Sequence, residues 1–86
     1  MAKFTVYILR TNRDTLYIGQ TQDLASRLAQ HRRHAKGAKY LAYFRSFELV
    51  YTEEFATRSA ALRREAELKR LSRAEKENVI GLNHDE

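Results

Sequence analysis

Two short apolar runs, Phe4 to Arg10 (FTVYILR) and Leu16 to Gln20 (LYIGQ), stand on either side of the polar group Thr-Asn-Arg-Asp-Thr. β-Branched and aromatic residues interrupted by turn formers read as a β-hairpin. With the loop centred near Arg13, cross-strand partners share parity. Thr5, Tyr7, Leu9, Tyr17 and Gly19 then lie on one face, and Phe4, Val6, Ile8 and Ile18 on the other. A slip of one residue would separate the two tyrosines, so everything they could do together depends on this register.

Beyond the hairpin, Thr21 and Asp23 are candidate N-caps for a helix from about Leu24 to His34. At 100° per residue Leu24, Leu28 and His31 fall together with Arg27 beside them, which sets Arg27 and His31 at the border of a buried stripe. Ala35 to Ser46 (AKGAKYLAYFRS) has no clean period and reads as a basic loop. Phe47 to Glu54 alternates as a third strand, with Phe47, Leu49 and Tyr51 opposed to Glu48, Val50 and Thr52. From Thr57 or Ser59 to Leu71 the chain is rich in helix formers; Ala61, Leu62 and Leu68 define an apolar arc that contains Glu65, while Glu67 points to solvent. Ser72-Arg73-Ala74-Glu75 fits a capping box that starts a last helix, expected to run to about Ile80 and stop at Gly81. The expected organisation is one domain over residues 1–82 and a frayed tail over 83–86.

Composition narrows the chemistry. The 86 residues include no cysteine and only three histidines, so a disulfide framework, a thiolate nucleophile and a histidine-rich zinc site are not supported. No apolar run approaches the roughly 20 residues of a membrane span, and the N-terminus lacks a signal-peptide pattern; a soluble cytoplasmic protein is expected. The formal charge is +5. Arg27, Arg32, Arg33, Lys36, Lys39 and Arg45 all lie between Leu24 and Phe47 without an acidic residue, so a polyanion is expected to meet the chain there.

Each candidate has an ordinary reading. Strand tyrosines are commonly half-buried packing residues, but Tyr7 and Tyr17 on one face could also converge on a reacting centre. Arg27 and His31 could form a solvated face, or bind a phosphate and take a proton from water. Glu65 in an apolar arc needs a partner, because burying a lone carboxylate is costly. That partner could be an arginine or a hard cation completed by water and phosphate oxygens. The basic stretch, with Tyr40, Tyr43 and Phe44 interleaved, suits a nucleic-acid strand: Arg32, Arg33, Lys36, Lys39 and Arg45 for phosphates, Tyr40 for stacking.

Taken together these residues resemble the GIY-YIG nuclease family, in particular its small stand-alone bacterial members. Thr5-Val6-Tyr7 stands at the first triplet and Tyr17-Ile18-Gly19 matches the second. The likeness continues through Arg27, His31, Leu49-Val50-Tyr51, Arg64-Glu65, Leu68-Lys69, Lys76 and Val79-Ile80, about four-fifths of the chain. Two departures are Thr5 in place of the triplet's glycine and Gln20 where many larger members have lysine.

The resemblance implies an α+β fold in the order β-β-α-β-α-α, a three-stranded antiparallel sheet flanked by three helices. It also implies metal-dependent hydrolysis of a phosphodiester; the leading expectation is a Mg²⁺-dependent (or Mn²⁺-dependent) endonuclease on DNA, in preference to RNA, with single-stranded and branched forms among the candidate substrates. Carried over, Glu65 holds the metal, Arg27 stabilises charge on the phosphate, and Tyr7, Tyr17 and His31 orient or deprotonate water. The alternatives are a non-catalytic nucleic-acid-binding module on the same fold and an interaction domain of a repair complex.

Overall fold

The computed structural model describes residues 3–32 and 47–84, with side chains over 3–29 and 47–81. Its elements are β1 (Phe4–Thr11), β2 (Leu16–Thr21), α1 (Leu24–Arg32), β3 (Phe47–Phe55), α2 (Arg58–Arg70) and α3 (Arg73–His84). The sheet order is β2-β1-β3, and both pairings are antiparallel. This is the expected α+β order of three strands and three helices. The expectations for Arg33, Lys36, Lys39, Tyr40 and Arg45 lie outside the described residues, as do those for the side chains of His31 and Arg32.

The hairpin register follows from its loop. Asp14 N–H donates to Thr11 O at 2.9 Å, and Thr11 N–H to Thr15 O at 2.9 Å, leaving a three-residue loop over 12–14. Thr11 Oγ1 accepts from the Arg13 and Thr15 amides inside the turn. Asp14 takes the left-handed position (φ 63°), which a short polar side chain tolerates better than most. Arg10 therefore faces Leu16, Leu9 faces Tyr17 and Tyr7 faces Gly19.

As the central strand, β1 is covered on both sides: Val6, Tyr7, Ile8 and Leu9 are all fully buried. One face joins Val6, Ile8, Ile18 and Tyr51 to Ala61, Leu68 and Ile80 of α2 and α3. The other joins Tyr7 and Leu9 to Tyr17, Leu24, Leu28 and Phe47, under α1. The sheet is thus the middle of three layers, and each fully buried aliphatic side chain contributes roughly 1.5–3 kcal/mol.

The caps form as the sequence suggests. Asp23 Oδ1 accepts from Ser26 N–H at 3.1 Å and Thr57 Oγ1 from Ala60 N–H at 3.1 Å. Thr21, the other candidate cap for α1, accepts the Asp23 amide and shapes the approach to the helix. The capping box is reciprocal: Ser72 N–H donates to Glu75 Oε1 at 2.8 Å, and Glu75 N–H to Ser72 Oγ at 3.2 Å.

Three expectations change. In β3 the register shifts opposite Ile8 and Leu9, with Tyr51 paired to Ile8 and Leu49 to Leu9, so Val50 is an extra residue. Tyr51 consequently joins Val6 and Ile8, and simple alternation from Phe47 to Tyr51 fails. Leu62 lies off the buried stripe of α2 and is 42% exposed. Finally, α3 continues through Gly81 to His84 instead of stopping there, as a glycine inside a helix is only a modest cost, and a Cβ at Gly81 would meet nothing within 4 Å.

A charge network ties the hairpin to α3. Arg10 grips Glu77 with two hydrogen bonds of 2.9 and 2.8 Å and also pairs with Asp14 at 2.9 Å. Arg73 closes the ring to Asp14 at 3.1 Å and Glu77 at 2.9 Å. The Arg10 hydrogen bonds, helped by Arg73, hold the Glu77 carboxyl down at about 2.

Two outcomes are expected. The stabilisation due to Glu77 is fully present above its ordinary pKa of 4.5 and is lost as pH falls from there toward about 2. Urea midpoints of wild type and Glu77→Gln should therefore differ at neutral pH and converge in acid; a constant gap would refute the linkage. Gly81→Ala should raise stability by up to about 1 kcal/mol in the same assay.

Candidate functional site

The hairpin brings Tyr7 and Tyr17 together as parity required. Their ring centroids are 6.4 Å apart with the planes tilted by 40°. Tyr7 is fully buried and Tyr17 half-buried. The close approach depends on residue 19: a Cβ built there would stand 2.7 Å from the Tyr7 hydroxyl oxygen and 2.8 Å from Cζ. Only hydrogen in place of a side chain leaves that space to the phenol. Gly19 was read as part of a triplet, and its spatial role becomes visible only when Tyr7 is placed opposite it.

Arg27 reaches the same place from α1. It is half-buried, which fits its position at the border of the Leu24–Leu28 stripe. Burial pushes the Tyr7 phenol up to about 12, and the neighbouring Tyr17 adds to this; Arg27 opposes the rise through its charge and a hydrogen bond. Tyr7 therefore keeps its proton at neutral pH.

Glu65 arrives from the opposite layer, on the stripe of α2 that buries Ala61 and Leu68. Its side chain is 17% exposed, and the partner the sequence left open is a lysine one turn on: Lys69 Nζ lies 3.0 Å from Oε2. Next to it, Arg64 Nε donates to Glu53 Oε1 of β3 at 2.9 Å, and the buried Tyr51 donates its hydroxyl to the same oxygen at 2.6 Å. Burial and the Glu53 carboxylate raise the Tyr51 pKa, so this hydroxyl remains a donor. That anchor restricts rotation of α2 and holds the Glu65 face toward the sheet.

These groups meet at β2, the edge strand, in an open cavity of about 340 Å³ lined by Tyr7, Tyr17, Arg27, Glu65, Lys69 and Lys76 among others. Arg27 comes from the layer on one side of the sheet, Glu65 and Lys69 from the other, and the cavity wraps the strand edge between them. Its lining holds three cationic side chains, Arg27, Lys69 and Lys76, against one carboxylate, which makes it a place for an anion. Lys69 and Lys76 were not singled out as site residues. Lys69 could have been, as it stands four residues after Glu65 on one helix face; nothing local marks Lys76.

The donor chemistry is compatible with a sparsely held divalent cation. Among the described residues no three His, Cys, Asp or Glu side chains group closely enough to cage a metal. Glu65 is the one carboxylate among the described residues that line the cavity, which suits Mg²⁺ or Mn²⁺ that keeps most of its shell as water and substrate oxygens.

Comparison with known proteins gives the family and the fold. Residues 3–78 match the GIY-YIG catalytic domain. The chain is 42% identical over 80 residues to a UPF0213 protein of Staphylococcus epidermidis, covering 93% of this chain and 96% of that one. It is 45% identical over 75 residues to a UPF0213 protein of Natronomonas pharaonis, covering 87% of each. Two structures solved by NMR are similar. A UPF0213 protein of Bacillus halodurans superposes with a TM-score of 0.65 at 37% identity, over 96% of this chain and 87% of the other. A protein of E. faecalis gives 0.71 at 35% identity, over 100% and 91%.

Gly19→Ala should drive the Tyr7 ring from its position and destabilise the fold by about 1–3 kcal/mol. Urea denaturation and the aromatic NMR shifts of Tyr7 and Tyr17 check this. Wild-type stability with unmoved shifts would show that the space beneath Tyr7 is not required.

Proposed function

The chain belongs to the GIY-YIG catalytic domain family, whose function is of the nuclease type, and we propose that it is a divalent-metal-dependent endonuclease acting on DNA. The single observation that carries this reading is the meeting of Tyr7, Tyr17, Arg27 and Glu65 in one cationic cavity at the β2 edge.

In the proposed reaction a water oxygen forms a bond to phosphorus while the bond to the 3′ oxygen breaks, leaving a 5′ phosphate and a 3′ hydroxyl. Arg27 meets the negative charge that gathers on the phosphate oxygens. Tyr7, with its proton retained, donates a hydrogen bond and orients the attacking water. The proton lost by that water passes to His31, or to Tyr17 as it hands its own phenolic proton to solvent, and the departing 3′ oxygen takes a proton from solvent. Glu65 would hold Mg²⁺ or Mn²⁺, which when bound supplies charge stabilisation for the leaving oxygen. Lys69, freed from Glu65, and Lys76 remain to steady neighbouring phosphates.

The Glu65–Lys69 ion pair also favours a second reading, a nucleic-acid-binding module with negligible turnover, because an ammonium already compensates the carboxylate. One panel separates the two. Single-stranded, duplex and branched DNA and RNA are incubated with the purified chain, with Mg²⁺, Mn²⁺ or EDTA. Metal-dependent DNA cleavage is expected, with Glu65→Gln and Arg27→Ala each slower by about 10²–10³-fold. Cleavage of nothing, or a Glu65→Gln variant as active as wild type, sinks the endonuclease. Salt-dependent binding that survives Glu65→Gln without cleavage establishes the binding module.

A further inference from the structure

A second cavity opens beside the first and shares two of its walls. It encloses about 320 Å³ and is lined by Phe4, Gln20, Arg27 and Arg58, together with residues of the β2–α1 connection. Gln20 and Arg27 belong to both cavities, so a chain bound at one continues naturally into the other.

Its lining is chemically mixed. Phe4 is half-buried and contributes an aromatic surface. Arg58, at the start of α2, is exposed and forms no ion pair among the described residues. The carboxylate of Asp23, also on the wall, is engaged in capping α1 through Ser26 N–H at 3.1 Å. Most telling is Gln20: its Oε1 is buried and accepts no hydrogen bond from any described residue. A buried carbonyl oxygen left so is destabilising unless a partner arrives.

An aromatic surface, an orphan acceptor and an unpaired guanidinium next to a phosphate-binding arginine are together the needs of one nucleotide unit. The cavity is about the size of one nucleotide. We propose that it is a subsite for a single unpaired nucleotide adjoining the phosphate held at Arg27. Gln20 Oε1 accepts a hydrogen bond from an amino or hydroxyl group of that nucleotide, and Arg58 meets the next phosphate. This rests on the reading of the first cavity as a phosphodiester site, and it makes the substrate a strand that is unpaired beside the cut.

The test is fluorescence anisotropy of the full chain with a labelled single-stranded oligonucleotide and with its blunt duplex, both in EDTA so that binding is read without cleavage. Gln20→Leu removes the acceptor at similar volume and should weaken single-strand binding about threefold to tenfold, by a clearly larger factor than duplex binding. Arg58→Ala, a surface change that the fold tolerates, should weaken single-strand binding and lower the slope of log K against log salt by about 0.7. Single-strand binding by both variants within twofold of wild type overturns the subsite, as does equal weakening of strand and duplex by Gln20→Leu, or no binding by the wild type. A wild type that binds but never cuts removes only the endonuclease reading. One that cuts, with variants that bind unchanged, removes only the subsite.

Discussion

Tyr7 is buried against a position that has no side chain, and this contact between a phenol and Gly19 is what the site is built on. It exists only if residue 7 of the central strand faces residue 19 of the edge strand. That pairing is dictated by a three-residue loop closed around Thr11 and Thr15, with Asp14 in the left-handed conformation. A turn of a few polar residues thus determines where the Tyr7 hydroxyl stands several residues away. The same registration places Tyr17 diagonal to Tyr7, and α1 then covers both through Leu24 and Leu28 while presenting Arg27.

The arrangement uses the edge of a sheet as a meeting line for two layers. A carboxylate on α2 and a guanidinium on α1 would be separated by the sheet anywhere near its middle strand. Among the described residues β2 is the edge of the sheet, and the two layers can reach a common space there. The Arg64–Glu53–Tyr51 contacts give α2 a fixed rotation, so Glu65 is held at the cavity while Glu67, two residues on, stays in solvent. Lysines on α2 and α3 complete a positive rim around the single acid. Such a cavity draws a polyanion to itself before any specific contact forms.

How much of this was legible depended on the distance over which each feature is specified. The hairpin faces followed from loop symmetry about Arg13, and the half-buried settings of Arg27 and Glu65 followed from helical periodicity, because both are local. The bulge at Val50 was not readable: an inserted residue in β3 changes face parity, yet FELVYTEE carries no mark of where the partner strand skips. The continuation of α3 past Gly81 was hidden because glycine stops a helix only where the chain needs the left-handed turn. The Arg10–Glu77 clamp joins residues 67 apart, beyond any pattern of spacing. Lys76 entered the cavity by the same tertiary route.

Lys76 and Glu77 are sequence neighbours with opposite duties: one lines the cavity, the other is bound to the hairpin through Arg10. The part of α3 that lines the cavity is thus pinned by partly exposed charge pairs. Dissolved salt weakens attraction between exposed charges on the scale of about 8–10 Å at ordinary ionic strengths. Raising it therefore acts twice on this molecule, once by shielding the charges of the rim itself and once by slackening the tether that sets the rim's geometry. Ionic strength becomes a mechanical variable as well as an electrostatic one.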